Sequence, residues 1–214
     1  MKIPPGPGAD RPFDAVLCDV DNVIRFYDSG RVAELERQAG LPEGGTAEVA
    51  FAPEVDLPLM RGEITLGQWV ESIVAALAGR VPPERARELG RALAASPFRA
   101  DARVVALLRR VRAAGVPLVL VTNATVRLED DLAEMGLTGL ADHVVSSARL
   151  GVVKPDPKIY EIAASLAGAA FERCLFVDDT VENVEAAVAL GMTGVHFRGP
   201  DDLRAALGPL PALG

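Results

Sequence analysis

Cysteine, histidine and aromatic residues are scarce in this 214-residue chain. It has two cysteines and two histidines, and Phe, Trp and Tyr together make up 5% of the residues. Cys18 and Cys174 each lie within an apolar run, which predicts buried free thiols rather than a disulfide framework. No Cys/His pair has the spacing of zinc ligands, so no structural zinc site is expected. Reduced thiols favour a cytoplasmic location.

Long apolar runs and basic clusters are also missing. No apolar stretch is long enough to span a bilayer, and residues 1–12 lack the apolar segment of a signal peptide. We expect residues 1–12 to form a flexible lead. The net charge is -8, and no cluster of Lys and Arg forms a nucleic-acid footprint. The predicted protein therefore has no membrane and no nucleic acid as a partner.

The rest of the chain is organised around the stretch from Phe13 to Val23. Its near-continuous apolar run predicts a strand that is covered on both faces of a parallel sheet. Asp19 and Asp21 follow where this strand ends, which is where open α/β sheets bind ligands. Two neighbouring carboxylates repel each other, and a divalent cation relieves that repulsion. The alternative from this stretch alone is that both acids are turn residues.

Residues 24–30 are predicted to form a turn or a small hairpin that leaves the strand. From Arg31 to about Arg99 the pattern is helical and is interrupted by Pro and Gly. Thr65 and the Pro82–Pro83 pair mark two helix starts, and Gly40 and Gly79 mark two helix ends. No convincing strand is visible in this segment. We therefore predict a helical insert over residues 25–99.

From Asp101 onward, predicted helices and strands alternate. Such alternation predicts an α/β fold, a doubly wound parallel sheet with helices on both faces. The predicted core comprises residues 13–24 and 100–214. The predicted strands after Asp101 are Val116–Val121, His143–Val145, Cys174–Val177 and Gly194–Phe197.

Polar residues follow the best of these strands, and one lysine lies in a loop between them. They are Asp19 with Asp21, Thr122 with Asn123, Asp178 with Asp179, and Lys154 in the loop. In a parallel sheet these strand ends share one edge, so the groups are expected to converge. Carboxylates bind Mg²⁺, and an ammonium and a hydroxyl bind phosphate oxygens. The set suits phosphoryl transfer, which needs positioning and charge neutralisation.

Four stretches, taken in order, resemble the four motifs of the haloacid dehalogenase superfamily. The helical insert resembles the small helical cap of that superfamily, and the resemblance covers roughly Phe13 to Phe197. The four stretches are Asp19–Val23, Thr122–Asn123, Gly151–Pro157 and Phe176–Asp179.

The resemblance implies a role for each residue around the phosphoryl group. Asp19 is the implied nucleophile, which forms an aspartyl-phosphate. Asp21 is the implied general acid and base. Thr122 and the Asn123 backbone are implied to bind the transferring phosphoryl group, and Lys154 to neutralise charge on Asp19 and the phosphate. The implied reaction is hydrolysis of a small phosphorylated metabolite.

The resemblance also implies a Mg²⁺ cofactor. Its implied ligands are Asp19, the backbone carbonyl of Asp21, Asp178 and Asp179. Asn183 matches a recurrent position on the following helix that supports the metal loop.

Two features of the first motif bear on the activity. Asn22 and Val23 stand where Gly-Thr is common, and Asn tolerates left-handed backbone conformations nearly as Gly does. Asp21 favours phosphate esters over dehalogenation, because a halide leaves without protonation. A phosphomutase of the same superfamily and a catalytically silent binding protein remain alternatives. A receiver domain is disfavoured because its acids precede the Thr and Lys.

Several other residues have a structural interpretation beside a functional one. Arg25, Tyr27, Arg61 and Arg99 are candidates for substrate contact, since they lie near the predicted hinges (residues 24–30 and 96–101) or in the cap. The favoured interpretation of each is a surface or packing role. His196 is expected to lie far along the sheet from the motifs. The identity of the substrate and the oligomeric state stay open.

Overall fold

The computed structural model describes residues 12–208. The predicted N-terminal lead lies outside the described residues, except for Pro12. The strands are β1 (Ala15–Cys18), β2 (Arg25–Tyr27), β3 (Phe98–Ala100), β4 (Leu118–Thr122), β5 (His143–Ser146), β6 (Cys174–Asp178) and β7 (Thr193–His196). The helices are α1 (Gly30–Ala39), α2 (Gly45–Ala50), α3 (Pro53–Met60), α4 (Leu66–Ala76), α5 (Pro83–Ala94), α6 (Ala102–Ala113), α7 (Leu128–Glu134), α8 (Ser147–Leu150), α9 (Pro157–Ala167), α10 (Val181–Ala189) and α11 (Pro200–Leu207).

Five strands form one parallel sheet in the order β5-β4-β1-β6-β7. The central strand, β1, pairs with β4 and β6, so that Leu17 lies beside Val119 on one side and Phe176 on the other. All four residues of β1 are buried, as its continuous apolar run predicts. The predicted doubly wound parallel sheet is therefore confirmed.

Helices cover both faces of this sheet. Side chains of α6, α7 and α11 pack with Val16 and Cys18 on one face. Side chains of α9 and α10 pack with Leu17 and Phe176 on the other. Cys18 and Cys174 are buried and free, as expected. Within residues 12–208, the structure contains no helix with the length and apolar character of a membrane span.

Residues 30–94, which we call the helical segment, contain α1 to α5 and bury an apolar cluster of their own. Trp69, Ile73 and Leu89 are among its buried members. The predicted cap at Thr65 is present, since its Oγ1 accepts a hydrogen bond from the backbone N–H of Gln68, in a capping box at the start of α4. The helical pattern of this part of the sequence is thus confirmed.

The expectation that this part of the chain contains no strand is wrong at its end. β2 and β3 form a separate antiparallel pair, in which Arg25 lies opposite Ala100 and Tyr27 lies opposite Phe98. Each strand has three residues, too few to show an alternating pattern, and the pairing joins positions that are distant in sequence. This two-stranded sheet lies at both points where the chain passes between the helical segment and the five-stranded sheet.

Candidate active site

Lys154 holds two of the predicted acids together at the carboxyl edge of the sheet. Asp19 follows β1 directly, and Asp178 ends the neighbouring β6. The Nζ of Lys154 lies 2.8 Å from Asp19 Oδ1 and 2.6 Å from Asp178 Oδ2. All three side chains are buried. A buried ammonium with two carboxylates is a charge arrangement that folding alone does not require.

Burial and the opposite charges nearby act in opposite directions on the pKa values of Asp19 and Lys154. Burial raises the pKa of Asp19 to about 7, although the charge of Lys154 acts in the opposite direction. Burial alone would lower the pKa of Lys154, but the charges of Asp19 and Asp178 raise it above its ordinary value. The Val20 N–H donates to Asp19 Oδ1 at 2.8 Å and fixes that carboxylate. Lys154 therefore stays charged beside Asp19.

Asp19, Asp178 and Asp179 bring carboxylate oxygens within 4.8 Å of one another. The Asn183 amide donates to Asp178 Oδ1 at 3.1 Å, and the Thr180 N–H donates to the same oxygen at 2.8 Å. If ionised, three carboxylates and the single Lys154 ammonium leave two negative charges. Hard oxygen donors with this excess charge fit a divalent cation such as Mg²⁺. Asn183 on α10 thus holds the Asp178 carboxylate in place.

Two residues outside the carboxylate cluster hold Asp179. Asn22 has a left-handed backbone with φ of 57°, and its Nδ2 donates to Asp179 Oδ2 at 3.0 Å. His196 Nε2 lies 3.0 Å from the carbonyl oxygen of Asp179. Asn22, Asp179 and His196 line one open cleft of about 480 Å³.

The expectation that His196 lies far from the motifs is wrong. β7 pairs directly with β6, and this pairing places His196 beside Asp178. Because β6 and β7 follow each other in the chain and consecutive strands usually lie side by side, the sequence did contain a signal for this pairing. The contact of the Asn22 amide has no local signal in the sequence, since its partner lies 157 residues away.

Thr122 and Asn123 occupy different parts of the site. The side chain of Asn123 exchanges two hydrogen bonds with the Lys154 backbone, accepting from the N–H at 2.8 Å and donating to the C=O at 3.1 Å. This exchange joins the loop after β4 to the loop that carries Lys154. The Thr122 hydroxyl is buried and has no hydrogen-bond partner among residues 12–208. The buried Ser146 hydroxyl, at the paired position of β5, likewise lacks a partner in that range. Unpaired buried hydroxyls are costly without a ligand or water.

Asp21 lies in a separate ion-pair network with Arg25. Arg25 is 3% exposed, and its Nε and Nη2 donate to the two oxygens of Asp21 at 2.6 and 3.0 Å. Its Nη1 donates to Asp131 Oδ2 on α7 at 2.7 Å. Burial alone would lower the pKa of Arg25, but the hydrogen bond to Asp21 and the nearby acidic charges raise it above its ordinary value. Arg25 thus binds the predicted acid–base group in this structure.

The helical segment contacts helix α8, which follows β5 directly. Ser147 is fully buried, and its hydroxyl donates to the Met60 carbonyl at 2.6 Å and accepts from the Ala124 N–H at 3.0 Å. A Cβ on Gly62 would lie 2.5 Å from the Ala148 carbonyl oxygen, so the backbones approach too closely there for a side chain. The end of α3 is therefore packed against the same side of the molecule as Thr122.

A comparison with known protein families gives the class of this chain. Residues 13–191 match the model of the haloacid dehalogenase-like hydrolases, and the chain belongs to that hydrolase family. The matched range contains Asp19, Asp21, Thr122 and Lys154, and it ends beyond the acids at 178 and 179.

Curated relatives include several proteins that are named as phosphatases. The chain is 38% identical over 101 residues to Sesquiterpene phosphatase astK of Aspergillus oryzae, a match that covers 47% of this chain and 52% of the relative. It is 26% identical over 157 residues to Hexitol phosphatase A of Escherichia coli, with 71% of each chain covered. The chain thus spans about half the length of the first of these relatives.

Solved structures share the fold over most of the chain. A haloacid dehalogenase family hydrolase from Deinococcus radiodurans, solved with bound phosphate and sodium, is 29% identical with a TM-score of 0.62 and coverage of 86% of this chain and 80% of that one. A family enzyme from Bacteroides thetaiotaomicron, in complex with magnesium and inorganic phosphate, has a TM-score of 0.63 at 18% identity, with 85% and 92% covered. The second likeness concerns the fold alone.

Proposed function

We propose that this chain is a Mg²⁺-dependent phosphatase that hydrolyses a small phosphorylated metabolite through an aspartyl-phosphate on Asp19. The observation that carries the proposal is the placement of the Lys154 ammonium between Asp19 and Asp178, beside a cluster of three carboxylates. Sesquiterpene phosphatase astK and Hexitol phosphatase A, named above as relatives, support a phosphorylated substrate. The free, buried cysteines are compatible with the proposed cytoplasmic location.

In the first proposed step, an Asp19 oxygen attacks phosphorus and the bond from phosphorus to the leaving oxygen breaks. Asp21 donates a proton to that oxygen, so the product departs as an alcohol. Lys154 neutralises charge on the phosphoryl oxygens, and the unpaired Thr122 hydroxyl donates a hydrogen bond to one of them. The hydrogen bonds of Asn123 to the Lys154 backbone hold the two loops in register for this contact.

In the second proposed step, Asp21 accepts a proton from water while the water oxygen attacks phosphorus. The bond from phosphorus to Asp19 breaks, which restores the Asp19 carboxylate and releases inorganic phosphate. Lys154 again balances the charge of the phosphoryl group.

The residues that would hold Mg²⁺ are Asp19, Asp178 and Asp179, together with the backbone carbonyl of Asp21. The ion supplies positive charge that offsets both the carboxylates and the phosphate. Asn22 and Asn183 orient two of these carboxylates from outside the cluster.

We further propose that residues 25–99 form a cap over a core made of residues 13–24 and 100–214. The two-stranded sheet of β2 and β3 falls at the predicted hinges, residues 24–30 and 96–101. The hydrogen bond from the Ser147 hydroxyl to the Met60 carbonyl holds the cap against the core. The cap thereby excludes water during the first step.

The test is phosphate release from an aryl phosphate and from a panel of phosphorylated metabolites, with Mg²⁺ and with a chelator. The proposal predicts release that needs Mg²⁺, is abolished in Asp19→Asn, and is unchanged in Asp130→Asn, which alters an exposed acid on α7. Full activity in Asp19→Asn contradicts the nucleophile assignment. No release by the folded, Mg²⁺-supplied protein favours the silent binder or a mutase that needs its own substrate.

A further inference from the structure

Arg25 is enclosed by groups from three parts of the fold. Its guanidinium binds both oxygens of Asp21 and one oxygen of Asp131. Its Cζ also lies 5.1 Å from the ring centroid of Tyr27 and 5.5 Å from that of Phe98. These two rings come from opposite positions of β2 and β3 and meet edge to face at 5.8 Å. Arg25, which belongs to β2, therefore connects the two-stranded sheet with the loop after β1 and with helix α7.

Burying an arginine side chain is energetically unfavourable unless its N–H donors are paired. Burying a guanidinium costs several kcal/mol if its donors lack acceptors. Here two carboxylates and two aromatic faces compensate for that cost. The side chain of Arg25 is 3% exposed, whereas that of Asp21 is 30% exposed. The arginine is thus enclosed while the carboxylate that it binds still faces solvent.

The two-pronged contact fixes the direction of the Asp21 carboxylate. A carboxylate has about four lone-pair sites, and a bidentate arginine uses only two of them. The Tyr27 hydroxyl is a further hydrogen-bond partner of Asp21, which leaves about one site to exchange a proton with a substrate. A lone Asp21 in a loop would sample several rotamers, whereas the planar guanidinium, held by Asp131 and the two rings, permits one orientation of the carboxylate.

From these contacts we infer that Arg25 is a positioning residue for Asp21 and holds its carboxylate where the leaving-group oxygen is protonated. The inference rests on the proposed function, because it concerns the step in which Asp21 acts as general acid. It also connects the acid with the two-stranded sheet at the proposed hinges, through Tyr27 and Phe98.

The test compares two substrates that differ in their need for a proton. An alkyl phosphate leaves as a poor alkoxide unless it is protonated, whereas p-nitrophenyl phosphate leaves as a stable phenolate. The ratio of kcat/KM for the alkyl substrate to kcat/KM for the aryl substrate reports on general acid catalysis in the first step. A fold defect that only removes active molecules lowers both values equally and leaves this ratio unchanged.

General acid catalysis contributes about 10²–10⁴-fold, so we expect Asp21→Asn to lower the ratio by about that factor. Arg25→Met should lower it roughly tenfold or more, and should add no further loss in the Asp21→Asn background. Arg25→Lys, which keeps the charge but not the fork, should give an intermediate ratio.

Two helix variants complete the test without changing Arg25. Asp131→Asn removes one anchor of the guanidinium and should lower the ratio by about threefold. Asp130→Asn, on the exposed side of the same helix, should leave it unchanged.

A normal ratio in Arg25→Met and Asp131→Asn, beside a fallen ratio in Asp21→Asn, overturns the positioning role and leaves the proposed function intact. A normal ratio in Asp21→Asn removes the acid role and the positioning role together. Wild-type protein that releases phosphate from neither substrate contradicts the proposed function and, with it, this inference. If Arg25→Met does not fold, the substrate ratios of Arg25→Lys and Asp131→Asn test the positioning role in its place.

Discussion

Replacing Lys154 by Met should destabilise the protein strongly, because it leaves Asp19 and Asp178 buried without their cation. The two bonds from Nζ are 2.8 and 2.6 Å long, and the Lys154 side chain is 1% exposed. Hydrogen bonds between charged groups contribute about 1.5–3 kcal/mol each, which gives roughly 3–6 kcal/mol for the two. Removing one partner of a buried ion pair costs about 3–5 kcal/mol by mutational measurements, in the same range. We expect a loss of about 4 kcal/mol.

The assay is urea unfolding at pH 8 in the presence of a chelator, followed by circular dichroism. In thermal unfolding of a protein of this size, the same loss of stability corresponds to a fall in Tm of roughly 8–16 °C. Excess Mg²⁺ should stabilise Lys154→Met more than the wild type, since the ion replaces part of the missing positive charge. Lys158→Met, at an exposed position in the first turn of α9, is the matched control and should change stability by less than about 0.5 kcal/mol. A loss below about 1 kcal/mol in Lys154→Met would refute the buried ion-pair network.

Two further variants test the helical segment and the cluster of Asp19, Asp178 and Asp179. Burial raises the pKa of Asp56 from 3.8 to about 6, so the folded state binds a proton more tightly than the unfolded state and loses stability as pH rises from about 4 to above 6. Two pKa units correspond to about 3 kcal/mol, which partial exposure reduces. Asp56→Asn should therefore add about 1–2 kcal/mol to the unfolding free energy at pH 8 and only a few tenths of a kcal/mol at pH 4. Glu54→Gln is the control, and an equal gain at both pH values would count against this reasoning. Asn22→Gly keeps the left-handed backbone but removes the side-chain amide that donates to Asp179. It should weaken Mg²⁺ binding about tenfold, as measured by calorimetry, with little change in Tm. An unchanged Mg²⁺ affinity would show that the amide does not orient Asp179.

The five-stranded sheet was predictable because its strands carry strong local signals. β1, β4 and β6 are buried along their whole length, and their sequences are accordingly almost continuous apolar runs. Each run is followed by polar groups, which marked the strand ends and the edge where a site would form. Parallel strands indicated that the acids at the strand ends would converge, whereas the role of Lys154, which lies in a loop, was implied by the resemblance to the superfamily.

Contacts between distant parts of the chain were not predictable in the same way. Arg25 and Asp131 are 106 residues apart, and nothing in the sequence near either residue indicates the partner. The pairing of β2 with β3 has the same character, since each is too short to show a pattern. The contact of His196 with Asp179 is different, because β7 follows β6 in the chain and consecutive strands usually lie side by side.

For Asn22, the sequence predicted the backbone conformation but not the side-chain contact. Asn22 was expected to tolerate a left-handed backbone, and its φ of 57° confirms this. The hydrogen bond from its side chain to Asp179 depends on the three-dimensional position of the loop after β6. A local rule thus predicted the backbone of Asn22, whereas only the fold shows its contact.

The most direct test of the proposed mechanism is to look for a phosphoryl group on Asp19 during turnover. The wild-type protein would be mixed with substrate and Mg²⁺, quenched in acid within the first turnover, digested and analysed by mass spectrometry. The mechanism predicts a phosphoryl adduct on Asp19 that disappears as substrate is exhausted and does not form in Asp19→Asn. Turnover without any adduct, or an adduct on Asp21 instead of Asp19, would contradict it.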